Sequence, residues 1–405
     1  MPKALLSALP TDALKGRRVV VRADLNVPLS EAGEVADDTR IQASVASLRH
    51  LVEAGARVVL LSHLGRPKGR PDPAASLAPV ARVLQSALGS PVRFVPDLVG
   101  DEAAAAVASL EPGRVLLLEN TRFEAGETAD DPALARVLAG YGDLFVNDAF
   151  GTAHRAHAST AGIASAIRAA GGRAVAGLLL ERELQFLGDA LADPERPFVA
   201  ILGGAKISGK IDVVEALLPR VDRLIVGGAM ANTFFLALGL EVGHSLVEPD
   251  RVEMARELLE RGGDRLLLPI DVRVADEIAP DAEVRVRARA EVRPGDRIAD
   301  IGPESEALFA AEIRGARTLV WNGPMGVFEL EPFRGGTVQL AHAVADAADG
   351  GATAVLGGGD SAAAAEVAGV SDRLTHISTG GGASLEFLAG EALPGIEALD
   401  EREDA

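Results

Sequence analysis

The sequence lacks cysteine altogether and has one tryptophan and one tyrosine in 405 residues. Without cysteine the chain can form no disulfide, no thiolate metal site and no cysteine nucleophile, and this composition fits a cytoplasmic protein. The net charge of −19, the scarcity of aromatic residues and the lack of a basic run argue against binding to nucleic acid. If the substrate is an anion, the positive charge that binds it must be concentrated locally.

Long apolar runs are also missing. None approaches the ~20 residues of a membrane span. Charged residues and prolines interrupt the start MPKALLSALPTDALKG, where a signal peptide needs a continuous apolar stretch. A content of 48% hydrophobic and 24% charged residues is that of a globular protein, and the chain length favours two domains over one core. We expect a cytoplasmic protein without a membrane segment.

Lysine is scarce, since the 40 basic residues include only Lys3, Lys15, Lys68, Lys206 and Lys210. Two of these lie four residues apart in the glycine-rich stretch ILGGAKISGK. An ammonium is a compact point charge, whereas a guanidinium is a planar fork. The choice of lysine at both positions therefore suggests contact with a moving phosphoryl group.

Short apolar runs alternate along the chain with segments of helical period. Because the runs show no polar alternation, helices should cover both faces of each strand, which predicts an α/β protein with two doubly wound, parallel-sheet (Rossmann-like) domains. The predicted strands are residues 18–24, 57–63, 91–95, 114–120, 143–150, 198–204, 223–229, 265–269, 318–324 and 353–359.

The segment 178–197 has a helical pattern that ends at prolines near the middle of the chain. We predict an N-terminal domain at 1–177 and a C-terminal domain at 193–389. A bridging helix at 178–192 joins them, and we predict hinges near Gly177 and Gly188, where glycine tolerates a change of backbone conformation. The tail at 390–405 is predicted to return to the N-terminal domain.

The residues that follow the predicted strands differ between the two halves, and open α/β sheets bind ligands at these strand ends. The first half offers polar and basic side chains, which are Arg22, Asp24, Asn26, His63, Arg66, Arg122, His154, Arg155 and His157. Any one arginine alone is more simply a helix cap or a surface ion pair, but agreement at four strand ends predicts a cationic pocket for a phosphate or carboxylate. HRAH could hold a metal, but without cysteine or a third carboxylate ligand anion binding fits better.

The second half offers glycine-rich turns before helices, where backbone N–H groups can bind phosphate. GAKISGKI nearly matches a phosphate-binding loop, but Ile211 occupies the position of the Mg²⁺-binding hydroxyl, which disfavours an ordinary P-loop enzyme. No strand opens into a dinucleotide fingerprint. Asp360 in GGGDS is a Mg²⁺ contact, a helix N-cap, or both. The residues alone therefore indicate a phosphoryl-transfer enzyme with an acid-substrate half and a nucleotide half.

Ten motifs in order, spread from about residue 18 to 390, resemble the phosphoglycerate kinase family. They are RADLNVP, SHLGRPKG, ENTRFEAGE, NDAFGTAHRAHAS, ILGGAKISGKI, GGAMANTF, DIGPES, WNGPMGVFE, GGGDS and STGGGASLE. The resemblance implies reversible transfer of the acyl phosphate of 1,3-bisphosphoglycerate to Mg·ADP, giving 3-phosphoglycerate and ATP in glycolysis and gluconeogenesis. It implies direct in-line transfer with domain closure by a cytoplasmic monomer that uses Mg²⁺ and binds neither nucleic acid nor membrane.

The resemblance also implies site residues. Those implied for phosphoglycerate are Asp24, Leu25, Asn26, Arg40, His63, Leu64, Gly65, Arg66, Arg122 and Arg155. Those implied for the nucleotide are Gly204, Lys206, Lys210, Gly228, Asn322, Glu329, Gly358, Gly359, Asp360, Ser361 and Thr379. Arg40, Lys206 and Gly381 are implied as catalytic and Asp360 as the metal ligand. The chain departs from the family at Ile298, where other members often carry glycine close to the adenine pocket.

Two alternatives stand beside this interpretation. A Rossmann-type dehydrogenase would need the missing dinucleotide fingerprint. A non-catalytic binding protein of the same fold would have lost Lys206, Arg40 or Asp360, and all three are present.

Overall fold

Apolar, β-branched runs of the sequence form the central strands of two six-stranded parallel sheets. The computed structural model describes residues 2–402, except for the side chains of residues 189–192. The chain divides into a first unit, Met1–Gln185 with Ala392–Ala405, and a second unit, Phe186–Glu391. The boundary falls within helix α7, Leu178–Ala192. The predicted α/β class with two parallel sheets is confirmed.

The first unit has the strand order β3-β4-β2-β1-β5-β6. Its strands are β1 Arg18–Ala23, β2 Arg57–Leu61, β3 Val92–Val95, β4 Arg114–Leu118, β5 Leu144–Asp148 and β6 Arg173–Ala176. Its helices are α1 Thr11–Leu14, α2 Thr39–Glu53, α3 Ala78–Leu88, α4 Asp101–Ala108, α5 Pro132–Ala139, α6 Ile163–Ala169 and α15 Pro394–Glu397. The central strand β1 is buried at five of its six positions, because helices cover both faces of the sheet.

The segment from residue 392 packs within the first unit. Asn147, in β5, donates from Nδ2 to the carbonyl of Gly395 over 2.8 Å. The backbone N–H of Ala4 donates to the carbonyl of Asp400, also over 2.8 Å. These bonds connect both ends of the described chain to one sheet.

The second unit has the strand order β15-β14-β13-β7-β8-β9 and a separate three-stranded antiparallel sheet, β11-β10-β12. Its strands are β7 Phe198–Leu202, β8 Arg223–Val226, β9 Leu266–Leu267, β10 Asp271–Ala275, β11 Arg285–Ala288, β12 Arg297–Ile301, β13 Thr318–Asn322, β14 Thr353–Gly357 and β15 His376–Ile377. Its helices are α8 Ile211–Leu217, α9 Met230–Ala237, α10 Val252–Gly262, α11 Pro303–Gly315, α12 Gly335–Asp349, α13 Gly359–Val367 and α14 Gly381–Ala389.

Each of the ten predicted strands contains a strand of the structure, although residues 265–269 hold only the two-residue β9. The sequence prediction missed β6, β15 and the antiparallel sheet. β10 and β11 alternate charged with apolar residues and Asp300 interrupts β12, so none of the three is a continuous apolar run, and β15 is two residues long. Among residues 2–402 no helix combines the length and apolar character that a bilayer span needs.

Candidate functional site

In the first unit, side chains from the carboxyl ends of neighbouring parallel strands converge at one edge of the sheet. Asp24 follows β1 and its Oδ2 accepts a hydrogen bond of 2.6 Å from Nη1 of Arg40, in the first turn of α2. The ring of His63, after β2, lies with Nδ1 3.9 Å from Oδ1 of Asp24. Three of the predicted substrate residues are therefore in one cluster.

The loop after β2 connects this cluster to the strand ends on either side. The N–H of Gly65 donates to Oδ1 of Asn26 over 2.8 Å. Nη1 of Arg122 donates to the carbonyl of Gly65 over 2.7 Å.

The predicted residues Leu25 and Leu64 are buried. The N–H of Leu25 donates to Oγ of Ser62 over 2.9 Å. The carbonyl of Leu64 accepts from Nδ2 of Asn120 over 2.7 Å, so both residues support the loops.

Two predicted residues at this edge point to solvent. Arg66 and Arg155 are both exposed. Nε of Arg155 lies 2.9 Å from Nε2 of His154. The structure places both arginines on loops that follow the sheet, but no contact joins them to the Asp24 cluster in the described part of the chain.

The electrostatics of the first unit favour an anionic ligand. Burial, together with the neighbouring charges of Arg22 and Arg155, lowers the pKa of Arg122 to about 10. Burial also holds the pKa of His63 well below its usual range, with further lowering by Arg22, Arg122 and Arg40. Burial is the main cause of both lowered pKa values, and the charges of neighbouring arginines add to it. A phosphate or carboxylate bound here would favour the charged form of Arg122.

A buried layer lies beneath these residues, and the sequence prediction, which named Arg22 as a strand-end side chain, missed its buried partners. Arg22, within β1, is fully buried, and its Nε donates to Oγ of Ser159 over 2.9 Å. Ser159 in turn donates to Oε1 of the fully buried Glu127 over 2.6 Å. Arg22 and Glu127 lie in two of the recognised motifs, so motif membership was the available signal.

In the second unit, the loop between β7 and α8 carries the two lysines in different surroundings. Lys206 is exposed, whereas the ammonium of Lys210 donates to the carbonyl of Gly203 and to Oδ1 of Asn322, each over 2.6 Å. Burial lowers the pKa of Lys210 to about 8, and the nearby charge of Asp360 partly offsets this. Lys210 is therefore held in place, and Lys206 is free to reach a ligand.

Backbone and side chains of β13 and β14 complete this region. Nδ2 of Asn322 donates to the carbonyl of Gly357 over 2.8 Å. Oγ of Ser361 accepts from the N–H of Gly323 over 2.7 Å. Both side chains therefore hold glycine loops together, so Asn322 and Ser361 shape the site as well as line it.

The glycine loops lie too close together for side chains. A Cβ on Gly203 would clash with the carbonyl oxygens of Gly323 and Pro324. Gly358 has a φ of 94°, which L side chains rarely adopt, and is the N-cap of α13. The loops present bare backbone because their packing and conformation require glycine.

Two adjoining pockets open at these loops. The smaller, of about 290 Å³, is lined by Lys206, Lys210, Asn322, Ser361, Gly381 and the Gly357–Asp360 turn. The larger, of about 380 Å³, is lined mostly by apolar residues, with Glu329 and Ile298 among its walls. Gly204 and Asp360 line both. A polar pocket with lysines and glycine amides suits a phosphate chain, and an apolar pocket beside it suits a base.

Asp360 and Gly381 lie at the starts of two helices that border the smaller pocket. Asp360 is exposed in the first turn of α13, but its side chain does not cap the helix, because Gly358 is the N-cap. The alternative reading of Asp360 as the N-cap was therefore wrong. Gly381 begins α14, and the predicted residue Thr379 lies two positions before it.

A single carboxylate at the phosphate pocket fits a Mg²⁺ ion that arrives with a nucleotide, since Mg²⁺ is commonly bound by one or two carboxylates plus substrate phosphates. Within residues 2–402 no group of three or more histidine, aspartate or glutamate side chains could hold a metal by itself. Asp360 is the predicted ligand, and its exposed position at both pockets agrees with this chemistry.

The sequence prediction also missed two residues that support the second unit's site. Asp300 is buried and lines the larger pocket, and its Oδ2 accepts from the N–H of Gly336 over 2.7 Å. Burial raises its pKa to about 7. Glu248 accepts a hydrogen bond of 3.0 Å from the N–H of Ser208, in the lysine loop. Neither residue follows a predicted strand, so the strand-end rule could not find them.

Known proteins are similar to this chain in sequence and in fold. The family model described as phosphoglycerate kinase matches residues 10–391. A phosphoglycerate kinase of Chloroflexus aurantiacus is 55% identical over 393 residues, covering 96% of this chain and 97% of that protein. One of Chlorobium chlorochromatii is 54% identical over 404 residues, covering 99% of this chain and 100% of that protein.

Two solved structures are also similar. The structure of phosphoglycerate kinase from Coxiella burnetii matches with a TM-score of 0.86 at 42% identity, and 98% of each chain is covered. That of phosphoglycerate kinase from Pyrococcus horikoshii matches with a TM-score of 0.85 at 33% identity, again with 98% of each chain covered.

Proposed function

Since the chain belongs to the phosphoglycerate kinase family and is a kinase of glycolysis, we propose that its two units bind the two substrates of that reaction separately. The reaction is reversible phosphoryl transfer between 1,3-bisphosphoglycerate and ADP. The observation that supports the division is the contrast between the neighbouring arginines around Arg122 in the first unit and the lysines with glycine loops in the second.

The first unit binds the phosphoglycerate. Arg40, His63, Arg66, Arg122 and Arg155 hold its phosphate and carboxylate, while Asp24 and Asn26 lie near its hydroxyl and carboxyl end. Leu25, Leu64 and Gly65 contribute backbone. The lowered pKa of Arg122 supports this assignment, because a bound anion would relieve the repulsion between Arg122 and the neighbouring charges of Arg22 and Arg155. His63 acts as a neutral ring, since burial and neighbouring arginines lower its pKa.

The second unit binds the nucleotide, with its phosphates in the smaller pocket and its base in the larger. Glu329 contacts the ribose. The other nucleotide residues are Gly204, Lys206, Lys210, Gly228, Asn322, Gly358, Gly359, Asp360, Ser361 and Thr379. Gly204 and Asp360 line both pockets, which supports one extended nucleotide with its phosphates in the smaller pocket and its base in the larger.

Catalysis is electrostatic. Phosphoryl transfer passes through a loose transition state with charge on the equatorial oxygens. Arg40, Lys206 and the backbone N–H of Gly381 stabilise that charge, and no general base is required because the acceptor is already an anion. Asp360 holds Mg²⁺, which neutralises phosphate charge when bound.

Direct transfer requires the two ligands to meet, and the assignment gives them to different units. We therefore propose domain closure during turnover, for which small-angle scattering is the test. We further propose a cytoplasmic monomer, supported by the lack of cysteine and by the glycolytic family. Sedimentation of the purified protein and fractionation of the source cells test these two points.

Arg122, in the loop after β4, provides a direct test of whether the two units bind the two substrates separately. Arg122→Ala removes a charge-assisted contact to the phosphoglycerate, which should cost roughly 1.5–3 kcal/mol, or about ten- to 150-fold in affinity. Calorimetry should show this loss for 3-phosphoglycerate and unchanged affinity for ADP. The control is Arg82→Ala, an exposed arginine of the same unit that pairs with Glu34. Equal losses for both ligands in Arg122→Ala would refute the division.

A further inference from the structure

A buried arginine donates directly to the imidazole of His63. Arg22 is fully buried, and its Nη2 lies 3.0 Å from Nδ1 of His63. His63 is itself buried, with 3% of its surface exposed. Among residues 2–402 this is the hydrogen bond that the ring makes.

This contact determines which ring nitrogen carries the proton. A guanidinium has donors only, so Nδ1 of His63 must accept. In a neutral imidazole one nitrogen accepts and the other donates, so the proton lies on Nε2.

Asp24 is the rival partner of the same nitrogen, and it would demand the opposite tautomer. Its Oδ1 is 3.9 Å from Nδ1, beyond hydrogen-bond distance. Its Oδ2 already accepts from Arg40 over 2.6 Å. The geometry therefore favours Arg22.

The guanidinium of Arg22 is itself fixed at its other nitrogens. Nε donates to Ser159 over 2.9 Å, and Nη1 donates to the carbonyl of Ala23. The buried carboxylate of Glu127 accepts from Oγ and from the N–H of Ser159, over 2.6 and 3.0 Å. A hydrogen-bonded chain therefore runs from Glu127 through Ser159 and Arg22 to His63.

We propose that Arg22 is a positioning residue that holds His63 in its neutral Nε2–H tautomer, so that Nε2 donates a hydrogen bond to an oxygen of the bound phosphoglycerate. The second half of this statement rests on the proposed function of the first unit. The first half concerns the free protein and can be tested without substrate.

The charged groups around His63 agree with a neutral ring. Arg22 on β1, Arg40 on α2, Arg122 after β4 and His157 after β5 all lower its pKa, in addition to burial. Asp24 is the carboxylate that faces the ring. The ring therefore remains neutral at physiological pH, and its effect on the substrate is that of a hydrogen-bond donor without a full charge.

The test is a long-range ¹H–¹⁵N spectrum of the ¹⁵N-labelled protein between pH 6 and 8, with His63 assigned by the signal lost in His63→Gln. We expect Nε2 to have the shift of a protonated nitrogen and Nδ1 that of an acceptor, without titration. A proton on Nδ1, or a titration near the ordinary histidine pKa of about 6.5, would overturn the proposal. The wild-type spectrum decides this whether or not any variant folds.

A variant then tests whether Arg22 is the cause. Arg22→Met removes the donor, and we expect a mixture of tautomers with Nδ1 partly protonated towards Asp24. If this variant does not fold, Ser159→Ala loosens Arg22 and should give a smaller change in the same direction. Ser86→Ala, at an exposed serine, is the control. If either variant folds and the tautomer of His63 is unchanged, Arg22 does not hold that tautomer.

Two amide substitutions test the donor. Gln at position 63 can place an N–H near the original Nε2, whereas Asn places its amide near Nδ1. We expect the KM for 3-phosphoglycerate to be about tenfold higher in His63→Asn than in His63→Gln, the loss of one hydrogen bond. Equal KM values in the two variants would show that Nε2 of His63 does not donate a hydrogen bond to the substrate. Failure of the proposed function itself would differ, since wild-type protein would then form no ATP.

Discussion

At the scale of single residues, the two lysines of the 206–210 loop differ in how firmly they are held. Three oxygens, two of them from Asn322, accept hydrogen bonds from the ammonium of Lys210. Lys206 is exposed on the same loop. A held ammonium suits ground-state binding of phosphate, and a mobile one can follow charge that develops during transfer.

Lys206→Ala should therefore lower kcat much more than it weakens nucleotide binding. Loss of one donor that acts on transition-state charge costs about 10²–10³-fold in kcat. Steady-state kinetics with ADP and 1,3-bisphosphoglycerate measure this, and Lys68→Ala, at another exposed lysine, is the control. A kcat within a few-fold of wild type combined with a raised KM would contradict the assigned role.

Lys210 should take up a proton when the nucleotide binds at pH 8. Its pKa of about 8 leaves the ammonium partly deprotonated there, and negative phosphates raise the pKa by favouring the charged form. Calorimetry of ADP binding in two buffers of different ionisation enthalpy should give different heats at pH 8 and similar heats at pH 6.5. Lys210→Arg, which stays protonated, should lose the difference. Buffer-independent heats in the wild type at pH 8 would count against the linkage.

At the scale of elements, the second unit's site depends on loops that touch through their backbones. The N–H of Gly203, after β7, donates to the carbonyl of Asn322, at the end of β13, over 2.9 Å. The N–H of Gly204 donates to the carbonyl of Pro324, also over 2.9 Å. The phosphate pocket therefore keeps its shape only while these strand ends stay in close contact.

Gly203→Ala should weaken ADP binding strongly and lower stability. The new Cβ would clash with backbone carbonyls, and overpacking typically costs 1–3 kcal/mol. Gly295→Ala is the matched control, because no residue other than its chain neighbours lies within 4 Å of its Cβ position and it lines neither nucleotide pocket. ADP affinity by calorimetry and the midpoint of urea unfolding measure both effects. Similar values for the two variants would show that the close contact does not shape the pocket.

The start of α7 is held by the first unit. Asp148, fully buried at the end of β5, accepts from the N–H of Leu179 over 2.9 Å, and Ser47 accepts from that of Leu178. A Cβ on Gly177 would clash with Asp148. The glycine before this helix is therefore explained by close packing, while its predicted use as a hinge, together with Gly188, stays a prediction.

At the scale of the whole molecule, the net charge of −19 opposes the binding of anions. Both proposed substrates are anions, so the cationic side chains of the first unit and the lysine loop of the second must act locally against a repulsive field. Each unit supplies one such region by itself.

Domain closure predicts that the radius of gyration depends on ligands. The reacting atoms must approach to about 3–3.5 Å, and a ligand shifts an equilibrium only by its differential affinity for the two states. Each ligand alone should therefore compact the protein partially, and 3-phosphoglycerate with a non-reactive Mg·ATP analogue should compact it most. Small-angle scattering of the four states measures this. An unchanged radius of gyration across all four states would contradict domain closure and the separate binding of the two substrates.

The sequence by itself determined the class of fold, the ten main strands and the residues of both proposed binding regions. Local rules placed the strands and the strand-end side chains, because buried parallel strands are continuous apolar runs and ligand residues follow them directly. Arg40, Glu329 and Gly381 came from the family resemblance. The motifs around Lys206, Asp360 and Arg122 then identified the family.

Only the tertiary structure decided which buried residues contact and support those binding residues. Arg22 lies inside a strand and Glu127 lies in a loop, and no sequence rule pairs them with His63 through Ser159. Asp300 lies on a strand of the antiparallel sheet, which has no continuous apolar run. Such partners are distant in the chain and meet only when strands assemble, so their burial, pKa values and tautomers are properties of the packed units.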